Sequence, residues 1–123
     1  MRELLWIAVG GAVGSVARYG VFKAFSGTVG TMVANITGAF VLGFVVGAFS
    51  QKLDPVIGLG VTVGLLGGYT TFSTWMFDSV QLWRDGQFAA ASINVGVAVL
   101  LGLAAAGAGL ALGLAVDKGR SAV

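Results

Sequence analysis

The chain has 123 residues, of which 57% are hydrophobic and 10% charged, and its formal net charge is +2. Soluble domains carry roughly 25% charged residues, so this composition excludes an ordinary soluble protein and indicates a membrane protein with lipid around it. The absence of Cys and His excludes disulfides, thiolate and imidazole catalysis and the usual zinc and haem ligands, and the low charge argues against nucleic acid. Four apolar spans lie between the charges: Leu4–Phe22, Thr28–Phe49, Pro55–Phe77 and Gly86–Val116.

The first span is apolar apart from Arg18, which is close enough to its end for the guanidinium to reach the membrane surface. A cleaved signal peptide over Met1–Gly20 is the alternative interpretation. The single basic residue before it, the many glycines and the immediate start of another span favour a permanent membrane helix.

The second span contains TMVANITG and places Thr31 and Asn35 four residues apart, so both lie on one face of a helix. An asparagine amide has two donors and two acceptors, and an unpaired one costs several kcal/mol in hydrocarbon. Asn35 therefore has a specific partner. Two roles remain open from the residues alone: a bond between helices, or a contact with something that the protein transports.

The third span starts with Asp54 and Pro55, a pair typical of a helix N-cap followed by proline in the first turn. Its glycines at positions 60, 64 and 68 predict close packing against another helix. The segment GGYTTFSTW then brings five hydroxyls, which cannot all point one way on a single helix. It predicts a helix that is broken near residues 67–71, where free carbonyls can coordinate a cation.

The fourth span follows a short turn in which Asp85 is expected to cap the new helix, and it carries Ser92 and Asn94 near its start. The apolar runs are continuous rather than alternating, which excludes the strands of a membrane barrel. We therefore predict an all-α membrane protein with a single domain over residues 1–123. Its helices are expected at about 4–22, 28–49, 55–82 and 86–116.

The charges outside the spans favour neither orientation strongly. With four spans both termini lie on one side of the membrane, and that side holds four basic residues against two or three on the other. A weak bias is compatible with insertion in both directions, and four helices are few to enclose a pathway. Together these points suggest an antiparallel dimer, while a single fixed orientation is the alternative.

The polar groups inside the spans are hydroxyls, an amide and aromatic edges, with no carboxylate before Asp78. Donors without fixed charge suit a small anion, and carriers of organic cations normally need an acid in the membrane. Phe72 and Trp75, three residues apart, offer ring edges, which are the positive part of the aromatic quadrupole. The alternative for these two rings is ordinary contact with lipid or with the protein core.

Three segments carry a resemblance to a known family: GGAVGSVARY at 10–19, TMVANITGAFVLG at 31–43 and GLLGGYTTFSTW at 64–75. Together with the plan of four spans they resemble the CrcB-type fluoride channels, the Fluc family. The resemblance implies a passive channel that exports cytoplasmic fluoride through the plasma membrane, in bacteria the inner membrane. It also implies an antiparallel dual-topology dimer with two pores at the subunit interface.

The resemblance also implies roles for individual residues. A structural sodium ion at the dimer centre would be held by the backbone carbonyls of Gly67 and Thr70. Arg18 would lie near the pore entrance. The predicted fluoride path is lined by eight residues: Thr31, Asn35, Thr71, Phe72, Ser73, Thr74, Trp75 and Asn94.

Two positions depart from the family pattern. Trp75 occupies the place of a phenylalanine, which adds bulk and an indole N–H donor. Asn94 stands where some members have tyrosine, and the following turns of the fourth span carry no hydroxyl. Either this polar track is dispensable, or the chain pairs with a homologue that supplies it, as some bacteria form such dimers from two chains. The partner is therefore a second copy or a close homologue.

Two other functions compete with the channel. A small multidrug-type proton-coupled exporter of organic cations shares the four-helix plan, but it needs a membrane-embedded acid in the first helix, and the only acid there is Glu3. A helical assembly subunit would fit better without a polar break. An enzyme is not expected, because no acid, base and nucleophile can be assembled from these residues.

Overall fold

The computed structural model describes residues 1–49 and 52–121, and every regular element among them is helical. Its elements are α1 (Arg2–Ala24), α2 (Thr28–Phe49), α3 (Pro55–Leu59), a π-helical segment (Gly60–Leu66), α4 (Gly67–Tyr69), α5 (Phe72–Arg84) and α6 (Phe88–Ser121). Four stretches are long and apolar enough to cross a membrane: Arg2–Ala24, Thr28–Phe49, Pro55–Arg84 and Phe88–Arg120. The prediction of four helices long and apolar enough to span a membrane is confirmed for these residues.

The third span begins as its sequence predicts. Asp54 is the N-cap of α3, and its Oδ1 accepts hydrogen bonds from the backbone N–H groups of Val56, at 2.9 Å, and Ile57, at 3.3 Å. Pro55 occupies the first turn, where its missing N–H leaves no bond unmade. The π-helical winding that follows was not predicted, because an i→i+5 pattern has no signature in residue composition.

The expected capping role of Asp85 is wrong. Asp85 ends α5 as its C-cap, and Gly86 follows with a positive φ of 76°. The N–H of Gly86 bonds to the carbonyl of Trp83, and that of Gln87 bonds to the carbonyl of Leu82. This pair of bonds closes a helix end around a left-handed glycine, so the turn belongs to α5 and α6 starts only at Phe88.

Glycines allow two pairs of helices to approach until their backbones touch. A Cβ built on Gly10 or Gly14 of α1 would overlap the carbonyl oxygens of Gly60 and Leu65 in the third span. A Cβ on Gly109 of α6 would likewise overlap the carbonyl oxygen of Phe40 in α2. The four-residue glycine spacing in the sequence therefore does mark close packing, as is usual for helices in lipid.

The packed interior is made mostly of small side chains. Four apolar residues are buried in the described part of the chain: Ala34, Ala48, Leu66 and Ala91. Large apolar side chains lie outside, including Leu100 at 69% and Leu103 at 70% exposure. In a membrane protein such a surface meets lipid or another subunit, and association depends on close backbone packing rather than on a hydrophobic core.

Candidate functional site

Two residues in the middle of the third span leave the helical conformation. Thr70 (φ −82°, ψ 159°) and Thr71 (φ −149°, ψ 113°) are extended and separate α4 from α5. The two preceding glycines, Gly67 and Gly68, remain helical. The backbone groups of Thr70 and Thr71 therefore need partners outside the helix ladder, and buried groups of this kind are almost always paired.

Asn35 on α2 supplies the partners for Thr71. Its Nδ2 donates to the carbonyl of Thr71 at 2.9 Å, and its Oδ1 accepts from the N–H of Thr71 at 2.7 Å. The side-chain amide of Asn35 therefore bonds to both backbone groups of Thr71, as the backbone of an adjacent β-strand would. The bond between helices that the sequence left open for Asn35 is present. One hydrogen of Nδ2 has no acceptor within residues 1–49 and 52–121.

Arg18 on α1 supplies the partner for Thr70. One guanidinium nitrogen, Nη1, donates to the carbonyl of Thr70 at 3.0 Å. The hydroxyl of Thr70 donates to the carbonyl of Leu66 at 2.9 Å, one turn back in its own helix. The long side chain of Arg18 thus reaches from α1 to the extended residues of the third span.

The hydroxyls that follow are ordered into α5. Thr71 is buried and caps α5, since its Oγ1 accepts from the N–H of Thr74 at 3.3 Å. The same Oγ1 donates to the Oγ1 of Thr74 at 3.0 Å, so the hydroxyl hydrogen of Thr74 is left to donate elsewhere. Ser73, between them, is exposed.

Thr31 and Asp78 form a contact that sequence reasoning missed. Thr31 is 2% exposed and its Oγ1 donates to Oδ2 of Asp78 at 2.7 Å. Asp78 follows Thr74 by four residues, so helical spacing alone places the carboxylate one turn beyond the hydroxyl cluster. This four-residue spacing is the feature of the sequence from which the position of Asp78 near the hydroxyls could have been predicted.

Trp75 and Asn94 are also engaged with their neighbours. The indole Nε1 of Trp75 donates to the backbone carbonyl of Asn94 at 3.2 Å, and the Asn94 side chain, 4% exposed, donates to Ser79 at 2.9 Å. Phe72 is 71% exposed and lies edge to face with Trp75, with ring centroids 5.7 Å apart.

A groove of about 510 Å³ lies beside the extended residues. Its walls come from α2, the third span and α6, and none of its lining residues is charged. Among the predicted site residues it brings together Asn35, Gly67, Thr70, Phe72 and Trp75. Arg18, Thr31, Thr71, Ser73, Thr74 and Asn94 are not among its lining residues.

The sequence of this chain is similar to those of known proteins. Residues 5–110 match the family described as CrcB-like protein, Camphor Resistance (CrcB). A protein of Geobacter sulfurreducens named "Fluoride-specific ion channel FluC" is 43% identical over 103 residues, covering 77% of this chain and 83% of the relative. A protein of the same name from Maridesulfovibrio salexigens is 40% identical over 78% and 82%, and one from Ignicoccus hospitalis is 33% identical over 80% and 84%. The chain is thus a multi-pass membrane protein that belongs to the CrcB-like family.

Proposed function

We propose that this protein is a fluoride channel through which cytoplasmic fluoride leaves by passive electrodiffusion. Relatives named as fluoride-specific ion channels align over most of the chain and support this proposal. The observation that carries it in the molecule is the groove beside Thr70, which has an amide donor and aromatic rings in its walls and no charged residue.

The proposed ion path depends on donors that remain available after the internal bonds are made. The second N–H of Asn35 is one, and the hydroxyl hydrogen of Thr74 is another. Ser73, which is exposed, adds a third. An anion that loses hydration water needs such donors at close range, and a narrow path excludes larger halides.

The two aromatic rings supply the apolar part of the path. Phe72 and Trp75 are in an edge-to-face arrangement with an interplanar angle of 74°, which leaves ring edges able to meet an anion. The indole N–H of Trp75 is already bonded to the carbonyl of Asn94 and cannot donate to an ion. Trp75 therefore offers only its ring to the path, as a phenylalanine would.

A second subunit completes the path in this proposal. Phe72 is 71% exposed and the groove is open on one side of the protomer, so a partner in antiparallel orientation would close it. A homodimer is the simplest form, and a heterodimer with a close homologue satisfies the same geometry. Each of the two equivalent grooves would then become one pore.

A structural sodium ion is part of the proposal, and the residues present fit it. The carbonyl of Thr70 lies outside the helix ladder, and Arg18 uses one of its two lone pairs, which leaves the other for a hard cation. Gly67 is exposed on the protomer and would contribute its own carbonyl. A bound sodium ion would supply positive charge that holds the extended residues of both subunits together.

A proton-coupled exporter of organic cations is not favoured. Such a carrier needs a carboxylate where the substrate binds, and none lines the groove. Asp78 of α5 is hydrogen-bonded to Thr31, and neither residue lines the groove.

Reconstitution of the purified protein into liposomes tests the proposal directly. Vesicles loaded with potassium fluoride are diluted into fluoride-free buffer with valinomycin, and a fluoride electrode follows the efflux. We expect fast fluoride release and no chloride release from matched chloride-loaded vesicles. Chloride release without fluoride release would rule out the fluoride channel.

A further inference from the structure

Trp75, Ser79 and Asn94 form a closed ring of hydrogen bonds between α5 and α6. The indole of Trp75 donates to the backbone carbonyl of Asn94 at 3.2 Å. The side chain of Asn94 donates to Oγ of Ser79 at 2.9 Å. Ser79 in turn donates to the backbone carbonyl of Trp75 at 2.9 Å. Each residue thus gives one bond to the next and receives one from the previous residue.

The directions of these bonds follow from the number of hydrogens available. A serine hydroxyl has one hydrogen, and that of Ser79 is given to the Trp75 carbonyl. The Ser79 oxygen must therefore accept from Asn94, so the nitrogen of the Asn94 amide faces Ser79. The other end of the amide, Oδ1, is buried without a hydrogen-bond partner within the described residues.

This orientation makes Asn94 unsuited to contact an anion. Its side chain is 4% exposed and is not among the groove-lining residues, so the second N–H of its Nδ2 does not face the groove as that of Asn35 does. Its buried Oδ1 is an acceptor, which repels fluoride. Asn94 nevertheless keeps a costly unpaired oxygen in the interior, which points to a role for the amide nitrogen.

The ring of bonds acts on Trp75, which does line the groove. Because the indole N–H is used, the tryptophan is held at a fixed angle and cannot donate to an ion. Its ring then lies edge to face with Phe72 at a centroid distance of 5.7 Å. A phenylalanine at this position has no N–H and needs no such anchor.

We propose that Asn94 and Ser79 are positioning residues that hold the Trp75 indole against Phe72, and that neither contacts the permeating ion. This inference rests on the proposed fluoride conduction for its functional consequence, but the geometry it describes exists without fluoride. It gives one explanation for the two positions, Trp75 and Asn94, that differ from the family pattern. The indole donates to the backbone carbonyl of residue 94, and the Asn94 side chain, through its bond to Ser79, holds that carbonyl of α6 in place against α5.

The first experiment examines the indole without measuring transport. The Trp6→Phe/Trp83→Phe background leaves Trp75 as the only tryptophan, and ¹⁵N labelling gives a single indole N–H resonance in detergent micelles. We expect Ser79→Ala and Asn94→Ala to move and broaden this resonance. Ser79→Thr keeps the hydroxyl and should retain it, and Ser92→Ala, an exposed serine on α6, should leave it unchanged. An unmoved resonance in both Ser79→Ala and Asn94→Ala would overturn the inference even if the protein conducts fluoride.

The second experiment is a double-mutant cycle on fluoride efflux. Asn94→Ala in the natural background should slow efflux by about 2- to 10-fold, the equivalent of one net hydrogen bond. In the Trp75→Phe background the same substitution should change efflux by less than about twofold, since no indole remains to be held. An equal loss in both backgrounds would mean that Asn94 contacts the ion itself, and the positioning role would be wrong. No efflux from any variant or from the natural chain would instead reject the proposed function and leave the resonance result standing.

Discussion

The α2–α6 interface and the segment around Thr70 are joined by opposite kinds of interaction. Between α2 and α6 the backbones touch at glycines, and no side-chain hydrogen bond joins these helices within residues 1–49 and 52–121. Around Thr70 and Thr71, side chains from α1 and α2 bond to the backbone of the third span. One region is held by shape and the other by polar partners.

This difference between the two regions predicts which substitutions affect folding and which affect conduction. A glycine interface has no tolerance for added volume, so substitutions there should remove the folded protein. A polar segment that is held by several separate bonds should survive the loss of one bond while its geometry shifts. Substitutions around Thr70 should therefore reduce conduction in a protein that still assembles.

The largest effect is expected from Gly109→Ala on the α2–α6 interface. Its new Cβ would overlap the carbonyl oxygen of Phe40 and lie 3.0 Å from the amide nitrogen of Phe44. Because the overlap is with backbone atoms, no rotamer change relieves it, and the cost exceeds the roughly 1–3 kcal/mol of ordinary side-chain overpacking. The yield of monodisperse protein in size-exclusion chromatography should fall sharply.

Gly107→Ala is the matched control, two residues away on the same helix. A Cβ at Gly107 meets nothing within 4 Å, and alanine favours a helix over glycine by roughly 1 kcal/mol. Yield and thermal midpoint should stay equal or rise. If the two variants behaved alike, close backbone packing would not hold α2 against α6.

The next largest effect is expected from Asn35→Asp. The substitution keeps an oxygen for the N–H of Thr71 but places a second oxygen against the Thr71 carbonyl, where Nδ2 now donates at 2.9 Å. It also brings negative charge to the groove. Fluoride efflux should fall on the order of 100-fold, which is the rate equivalent of about 2.7 kcal/mol.

Thr37→Val provides the comparison for Asn35 on the same helix. The Thr37 hydroxyl bonds to the carbonyl of Val33, within α2, and contacts the hydroxyl of Tyr69. Efflux should stay within about twofold of the natural protein, because the bond to Val33 lies within α2 and the contact with Tyr69 is exposed and touches neither Thr70 nor Thr71. Similar losses for Thr37→Val and Asn35→Asp would mean that the amide of Asn35 has no special role.

The sequence predicted the place of this polar segment but not its bonds. The sequence predicted a break near residues 67–71; Thr70 and Thr71 are extended there, while Gly67 and Gly68 stay helical. The partners of Thr70 and Thr71 are 52 and 36 residues away, and their choice depends on how each helix is rotated about its axis. Spacing within one helix carries no information on that rotation relative to a neighbour.

The wrong prediction for Asp85 has a local cause instead. An aspartate after a helix and before an apolar run is compatible with capping either helix, and the following glycine decides between them. Gly86 takes a positive φ and closes α5. By contrast Asp54 precedes a proline, which is favoured in the first turn of a helix and disfavoured at its end, and its cap was predicted correctly.

A smaller effect is expected from substitution of Arg18. Arg18→Gln removes the charged donor from the carbonyl of Thr70 and should lower efflux by about tenfold, since hydrogen bonds to charged groups contribute about 1.5–3 kcal/mol. Arg18→Lys retains the charge and a donor and should keep more of the efflux. Equal and small losses for both variants would show that Thr70 does not depend on α1.

The smallest effect is expected from Lys52→Gln, far from the polar segment. Nζ of Lys52 lies 2.5 Å from a carboxylate oxygen of Asp117, and the two side chains are 43% and 36% exposed. Exposed ion pairs contribute about 0–1 kcal/mol, so the thermal midpoint should move little and fluoride efflux should not change. Repeating the thermal melt at low and high salt checks this expectation, because only a pair that contributes stability makes the natural protein more salt-sensitive than the variant. A large loss of folded protein in Lys52→Gln would show that α6 is held to α2 by charge at its end, and the contrast between a glycine-packed region and a polar one would no longer describe the molecule.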